Sequence, residues 1–172
     1  NSFDFALVNH AASLGAKIIA DCAVKNINPE ADHHLIQTEK GYFKCTYLIF
    51  ADGAMAKLSN QFWEDDRLIS PSIETDVYLP ATNQGRLNKP AEFDFGAIKS
   101  GYGWIFPKGD HLSVGLVTFS KEKVQLQKLL DQYLQRQGIF EGSEITNRKG
   151  FIIPASPRKA PFAKNRMLLV GD

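Results

Sequence analysis

The sequence has only two cysteines in 172 residues, Cys22 and Cys45, and they form neither a CxxC pair nor metal-ligand spacing. No disulfide framework and no cysteine metal site can be read from them. Both lie in apolar segments and read as small, reduced core residues, which favours a reducing compartment. His33 and His34 are adjacent, so on a strand they face opposite sides and form no chelate; no metal site is expected. Charge of one sign is also lacking. Lys and Arg number 20, Asp and Glu 19, for a net charge of +1. Global electrostatics therefore point to no nucleic-acid partner, and no run of like charges marks a tail or anchor. No apolar run approaches the ~20 residues that span a bilayer, and no signal-peptide pattern is present. No internal repeat or low-complexity segment stands out. No Ser-His-Asp or Cys-His arrangement can be argued from spacing, which leaves a hydrolase reading without support and the catalytic residues unassigned.

What is present suits a globular domain. Hydrophobic residues make up 44% and charged residues 23%, and a chain of this length buries roughly 70% of the surface that its unfolded form exposes. Residues 3–14 place Phe5, Val8 and Ala12 at helical spacing, broadened by Leu7, Ala11 and Leu14, with Gly15 as a left-handed stop. Short β-rich runs follow at 17–21, 23–29, 34–40 and 42–50, separated by turn signals. A short helix is expected within 54–63. Strands return over 71–119, interrupted by a polar loop at 80–90, and Lys108-Gly109-Asp110 joins two of them in a hairpin. Residues 121–136 give the clearest helix, with Ser120 as its cap. Strands at 144–153 and 167–170 close the chain. The pattern is α+β: a mainly antiparallel sheet inserted between parts of an α/β domain. The chain starts mid-pattern and stops on a strand end, so it reads as a fragment of a longer protein.

Two strand ends carry candidate chemistry. Leu48 to Phe50 is a continuous apolar run that ends in Asp52-Gly53, and LLVGD at 168–172 runs likewise into Gly171-Asp172. Ligands of open α/β sheets sit at such carboxyl ends, where an acid can take a hydroxyl and a glycine lets the ligand approach the backbone. A plain β-turn remains the alternative for each. The third candidate is GYGWIFPK at 101–108. It alternates Tyr102, Trp104 and Phe106, with glycines around Tyr102 and Pro107 after Phe106. A strand that only fills a core favours valine, isoleucine and leucine; rings on one face read as a wall against a flat or greasy ligand, with the glycines leaving room for it. Rings packed on a neighbouring helix are the alternative.

Taken in order, "FD..L...A...GA", LIFADGA, GYGWIFPKGDHLSVGL and LLVGD resemble the geranylgeranyl reductase family of FAD-dependent oxidoreductases, within the p-hydroxybenzoate hydroxylase-like flavoprotein fold. The likeness covers almost the whole chain; Tyr102 to Gly115 is its most specific part, whereas the ADGA and VGD pieces recur across many flavoenzymes. It implies that Asp52 and Gly53 lie near the FAD pyrophosphate and that Gly171 and Asp172 begin the motif that meets the ribityl chain. Tyr102, Trp104, Phe106 and Pro107 are implied to line the substrate cavity. It implies FAD in the full-length parent, with NADPH or another reductant as electron source, and a prenyl lipid or other apolar small molecule as substrate. The implied domains are 1–60 and 156–172 for FAD binding and 61–155 for substrate. The implied reaction is hydride delivery to a prenyl double bond. A flavin monooxygenase or halogenase of the same fold and a non-catalytic lipid-binding module are the alternatives. Two departures stand out. Ala56 and Ser59 fall where the family carries Ser and then Arg, so contacts at that turn are expected to be made differently. The G-x-G-x-x-G turn that binds the pyrophosphate is absent, so this chain alone is expected to bind FAD poorly and to be inactive. The protein is expected to be cytoplasmic, with peripheral membrane contact allowed for.

Overall fold

The computed structural model describes residues 2–171. In chain order its elements are α1 (Ser2–Ser13), β1 (Val24–Pro29), β2 (His34–Thr38), β3 (Gly41–Cys45), β4 (Leu48–Phe50), a 3-10 turn at Ser59–Gln61, β5 (Ile69–Tyr78), a 3-10 segment at Ala81–Asn88, β6 (Glu92–Asp94), β7 (Gly101–Pro107), β8 (Leu112–Thr118), α2 (Leu126–Arg136), β9 (Glu144–Pro154), β10 (Ala163–Lys164) and β11 (Met167–Leu169). This is an α+β chain with mainly antiparallel sheet. It divides into two compact units, residues 1–50 with 162–170, and residues 51–161 with 171–172.

In the first unit, β1, β2 and β3 form an antiparallel meander. Residues 17–21, expected as a strand, are irregular. A second sheet pairs β10 with β11 antiparallel and β11 with β4 parallel. The β10–β11 hairpin turns through Asn165 and Arg166, both at positive φ (48° and 61°), as a two-residue loop of this handedness requires. Arg166 holds that strained conformation with hydrogen bonds from its guanidinium to the carbonyls of Glu30 and Ala31. Helix α1 stops at Gly15 (φ +100°) as its sequence predicts. Its apolar stripe is largely exposed, Phe5 to 67% and Leu7 to 54%.

His34 on β2 is buried, and neither ring nitrogen has a hydrogen-bond partner among the described residues. It stands opposite Cys45 in the β2–β3 register, whose thiol burial pushes upward. Both cysteines are free and half-buried. A buried polar atom left unpaired costs about 1–3 kcal/mol, and replacing it by an apolar group of similar size recovers part of that. His34→Leu is therefore expected to raise stability by about 1 kcal/mol, read as a higher urea midpoint with unchanged slope.

The second unit is built on a five-stranded antiparallel sheet in the order β6-β7-β8-β5-β9. Side chains alternate across it. One face carries Ile105 from β7, Leu112, Val114 and Leu116 from β8, and Ile73 and Val77 from β5. These pack with Leu130, Tyr133 and Leu134 of α2 into one core. The β7–β8 hairpin forms where expected: the Lys108 N–H donates to the His111 carbonyl, and Gly109 takes φ +91°. Helix α2 starts five residues later than its sequence suggests. Ser120 is not its cap; the Ser120 hydroxyl accepts from the Glu122 N–H, closing a separate turn. That local side-chain bond competes with helix formation. The loop expected at 80–90 winds instead into the 3-10 segment. There Arg86 and Asn83 donate to the carbonyls of Gln137 and Gly138, satisfying acceptors that every helix C-terminus leaves open. Among the described residues, no helix is long and apolar enough to cross a membrane.

Candidate functional site

The two strand ends singled out in the sequence belong to neighbouring strands. β4 and β11 run parallel with Phe50 opposite Leu169, and the Val170 N–H donates to the Phe50 carbonyl at 2.9 Å. The chain therefore leaves both strands at the same sheet end, toward Asp52-Gly53 in one case and Gly171 in the other. Gly171 takes φ +78° with open space around its missing side chain. Asp172 lies outside the described residues.

Asp52 is already engaged by its own chain. One carboxylate oxygen accepts from the backbone N–H groups of Leu58 and Ser59 at 2.9 and 3.1 Å, and the other accepts from the Ser59 hydroxyl at 3.0 Å. Burial pushes this carboxyl up, but the bonds from Ser59 and Leu58 outweigh it and hold it below the usual carboxylate range. The acid thus pins the 3-10 turn at Ser59–Gln61 to the glycine loop. Ser59, one of the two departures from the family pattern, is what it holds. Ala56, the other, is buried at φ 47°, a left-handed conformation that costs a non-glycine residue on the order of 1 kcal/mol. Gly53 has φ +73° and no atom within 4 Å of where a Cβ would be. Its half-buried backbone, bare of a side chain, is what a ligand could approach most closely.

Beside this loop is an open cleft of about 470 Å³ lined by Asp52, Ala54, Met55, Pro71, Ser72 and Phe151, among others. The lining is apolar apart from Asp52 and Ser72. A flat apolar ring system fits such a cleft with a bare glycine backbone at its rim. FAD is thus compatible with the residues present, through its ring portion and through Gly53. Asp52 would serve it by fixing the loop, and the oxygen that takes only the Ser59 hydroxyl keeps acceptor capacity toward the cleft.

The sheet face opposite α2 carries the rings. The registers place Phe93, Tyr102, Trp104 and Phe106 on this face with Ser113, Gly115 and Val117 of β8 and Ser72, Glu74 and Asp76 of β5. Tyr102 and Phe106 are half-buried, as is Pro107 at the strand end. Trp104 is different. It is only 7% exposed, and a Cβ on Gly115 would come within 2.1 Å of its Cζ2. The indole lies down on the bare backbone of Gly115 and forms the bed on which its neighbours rest, with centroids 6.2 Å to Tyr102 and 6.3 Å to Phe106. The glycines around Tyr102 do not make room for a ligand, contrary to expectation. A Cβ on Gly103 would meet Ala97, Tyr133 and Leu116, and one on Gly101 the Val117 carbonyl. They let the helix and its flanking loop close on the opposite face.

Two features escaped sequence reasoning. Phe93, 57% exposed, lies 5.8 Å from Tyr102 and 5.2 Å from Phe106, centroid to centroid. The alternating EFDF at 92–95 was a signal for it. The other is a charged knot under the glycine loop. Arg67 grips Asp65 with two bonds of 2.8 Å and donates a third to the Ala54 carbonyl at 3.2 Å. Arg158 lies 3.7 Å from Asp65 and donates to the Glu64 carbonyl. An arginine therefore reaches this loop from a position eight residues beyond Ser59. Nothing in the spacing announces it, because Arg158 arrives from the distant end of the unit.

No family model matches the chain. It is 34% identical over 171 residues to an uncharacterized protein of Methanosarcina barkeri, covering 99% of this chain and 43% of the relative. It is 29% identical over 181 residues to a geranylgeranyl diphosphate reductase of Synechocystis, covering 96% of this chain and 44% of the relative. It is 26% identical over 183 residues to a digeranylgeranylglycerophospholipid reductase of Methanocaldococcus jannaschii, covering 99% and 46%. The fold matches the crystal structure of a geranylgeranyl bacteriochlorophyll reductase-like protein from Thermoplasma acidophilum with a TM-score of 0.81 at 18% identity, over 99% of this chain and 46% of that one. It also matches CmlS, a flavin-dependent halogenase, with a TM-score of 0.67 at 20% identity, over 99% and 34%. The chain spans less than half the length of these proteins. Along nearly its whole length the chain is thus similar to proteins named as geranylgeranyl reductases, and its fold is one that a flavin-dependent halogenase also has.

Proposed function

We propose that this chain is part of an FAD-dependent oxidoreductase that reduces double bonds of a prenyl chain of the geranylgeranyl type. The observation that supports this most is the ring-paved sheet face, where an apolar chain would lie, in a relative of enzymes named for prenyl reduction. When bound, FAD would supply the hydride. The chain's own residues would bind and shield. Gly53 and Gly171 would let the cofactor approach the backbone, and Asp52 would keep the loop in place. Phe93, Tyr102 and Phe106 would lie against the prenyl chain, with Trp104 beneath them and Pro107 at the strand end. Such a wall orients the chain and keeps water out. In the same reading, residues 1–60 and 156–172 serve the cofactor and 61–155 the substrate. The reductant is NADPH or another donor, and peripheral membrane contact would bring a lipid substrate within reach. The sequence relatives named for prenyl reduction favour reduction over the alternative chemistry of this fold.

The test is to incubate the full-length parent with a geranylgeranyl lipid under NADPH or dithionite and to follow lipid mass. Gain of two hydrogens per double bond is expected. Incorporation of oxygen or halogen would establish the rival chemistry. Saturable lipid binding by a protein that holds no flavin would establish a non-catalytic module.

A further inference from the structure

We infer that Phe93, Phe95 and Phe119 form, around Tyr102, a subsite for a branched apolar unit of the substrate, at the Gly101 end of β7. This inference rests on the prenyl reading above and adds the place where part of the chain is held. Tyr102 is the hub. Its ring lies 5.8 Å from Phe93, 5.8 Å from Phe95 and 6.1 Å from Phe119, with interplanar angles of 61°, 52° and 51°. None of these pairs stacks face to face, so the phenylalanine rings are tilted to the tyrosine, and in the proposed subsite they serve as the sides of a shallow cup.

Each side is held by its backbone. Phe95 follows Asp94, whose carboxylate accepts from the Gly96 N–H at 2.8 Å and from the Gln137 side chain at 3.4 Å. The Ala97 N–H closes the turn onto the Asp94 carbonyl. Phe119 is fixed by a 2.7 Å bond from its own N–H to the Ser100 carbonyl, and Phe93 sits in register opposite Trp104. Yet the rings stand in solvent: Phe95 is 78%, Phe93 57% and Phe119 42% exposed. Large rings clustered, exposed and held by a fixed backbone are preorganised for contact rather than left over from packing. The cup is made of rings alone, so it suits a methyl-branched hydrocarbon better than a polar group. It is continuous through Tyr102 with the wall of the proposed site, and that continuity commits it to the same ligand.

The test uses the full chain and a dansyl-labelled geranylgeranyl probe, with binding read by fluorescence. Phe95→Ala and Phe119→Ala remove exposed side chains, so folding is expected to be intact by circular dichroism. Each is expected to weaken binding about 5-fold, and the double variant at least 20-fold. Phe162→Ala, an exposed ring of the other unit, serves as control and is expected to change nothing. If the unaltered chain binds no probe, the prenyl reading fails and takes the cup with it. If it binds and the double variant binds equally well, the cup alone is wrong. Loss of self-association in the double variant, with probe affinity unchanged, would likewise overturn it in favour of a contact between copies.

Discussion

Tyr133→Ala is expected to destabilise the second unit by about 3–5 kcal/mol, the usual cost of deleting a large buried ring. Tyr133 is 1% exposed and sits among Leu130, Leu134, Ile105 and Leu116 in the core between α2 and the sheet. Its ring passes under Gly103, where an added Cβ would approach its Cζ to 2.9 Å. Burial, with Asp94 and Glu92 nearby, pushes its phenol up to about 12. Gly103→Ala alone is expected to cost about 1–3 kcal/mol by overpacking. Part of that cost should vanish when Tyr133 is already alanine, so the double variant should fall short of the sum by about 1 kcal/mol. Urea unfolding of the three variants measures this. Full additivity would mean that Gly103 is glycine for a reason other than the ring beneath it.

The second large effect is expected at Asp65. The side chains of Arg67 and Arg158 are each 6% exposed and that of Asp65 is 18% exposed. Removing the carboxylate that two nearly buried guanidiniums share breaks both pairs, which for fully buried pairs costs 3–5 kcal/mol. With the partial exposure of Asp65, about 2 kcal/mol is expected for Asp65→Ala. Asp131→Ala, which breaks a more exposed pair with Arg148, should cost less than about 1 kcal/mol. The Arg67 side chain, chiefly by its hydrogen bonds, holds the Asp65 carboxyl down at about 2, against an ordinary value of 3.8. A carboxyl depressed on folding contributes stability that is complete above its unfolded value and is lost as pH falls through the folded one. Between pH 4 and pH 2 the unaltered protein should therefore lose stability more steeply than Asp65→Ala. Parallel acid profiles would show that the knot contributes nothing.

The legible parts of the molecule were those written in local pattern. The β7–β8 hairpin follows from alternation around Lys108-Gly109-Asp110, and the α2 stripe of Leu130, Tyr133 and Leu134 from helical spacing. Apolar runs ending at Asp52-Gly53 and at Gly171 marked the two strand ends, and the alternation of Tyr102, Trp104 and Phe106 marked the ring face. What was not legible depends on partners distant in sequence or on which way a residue faces. Gly101 and Gly103 look like space left for a ligand because they flank Tyr102, but in a strand the neighbours of a ring face the opposite side. That Leu58 and Ser59 fold back onto Asp52 and pin the loop is not announced by the Asp-Gly pair. The Asp65–Arg67–Arg158 knot joins segments more than ninety residues apart, and the turn before α2 is closed by a serine hydroxyl that reads equally well as a helix cap.

The central claim is that a prenyl chain lies along the face that carries Phe93, Tyr102 and Phe106. The most direct measurement is photolabelling with a diazirine-bearing geranylgeranyl probe, followed by peptide mapping. Adducts on 92–95, 101–107 and 117–119, competed away by unlabelled geranylgeraniol, are the predicted result. Competed adducts confined to α2 or to the meander of the first unit would contradict it.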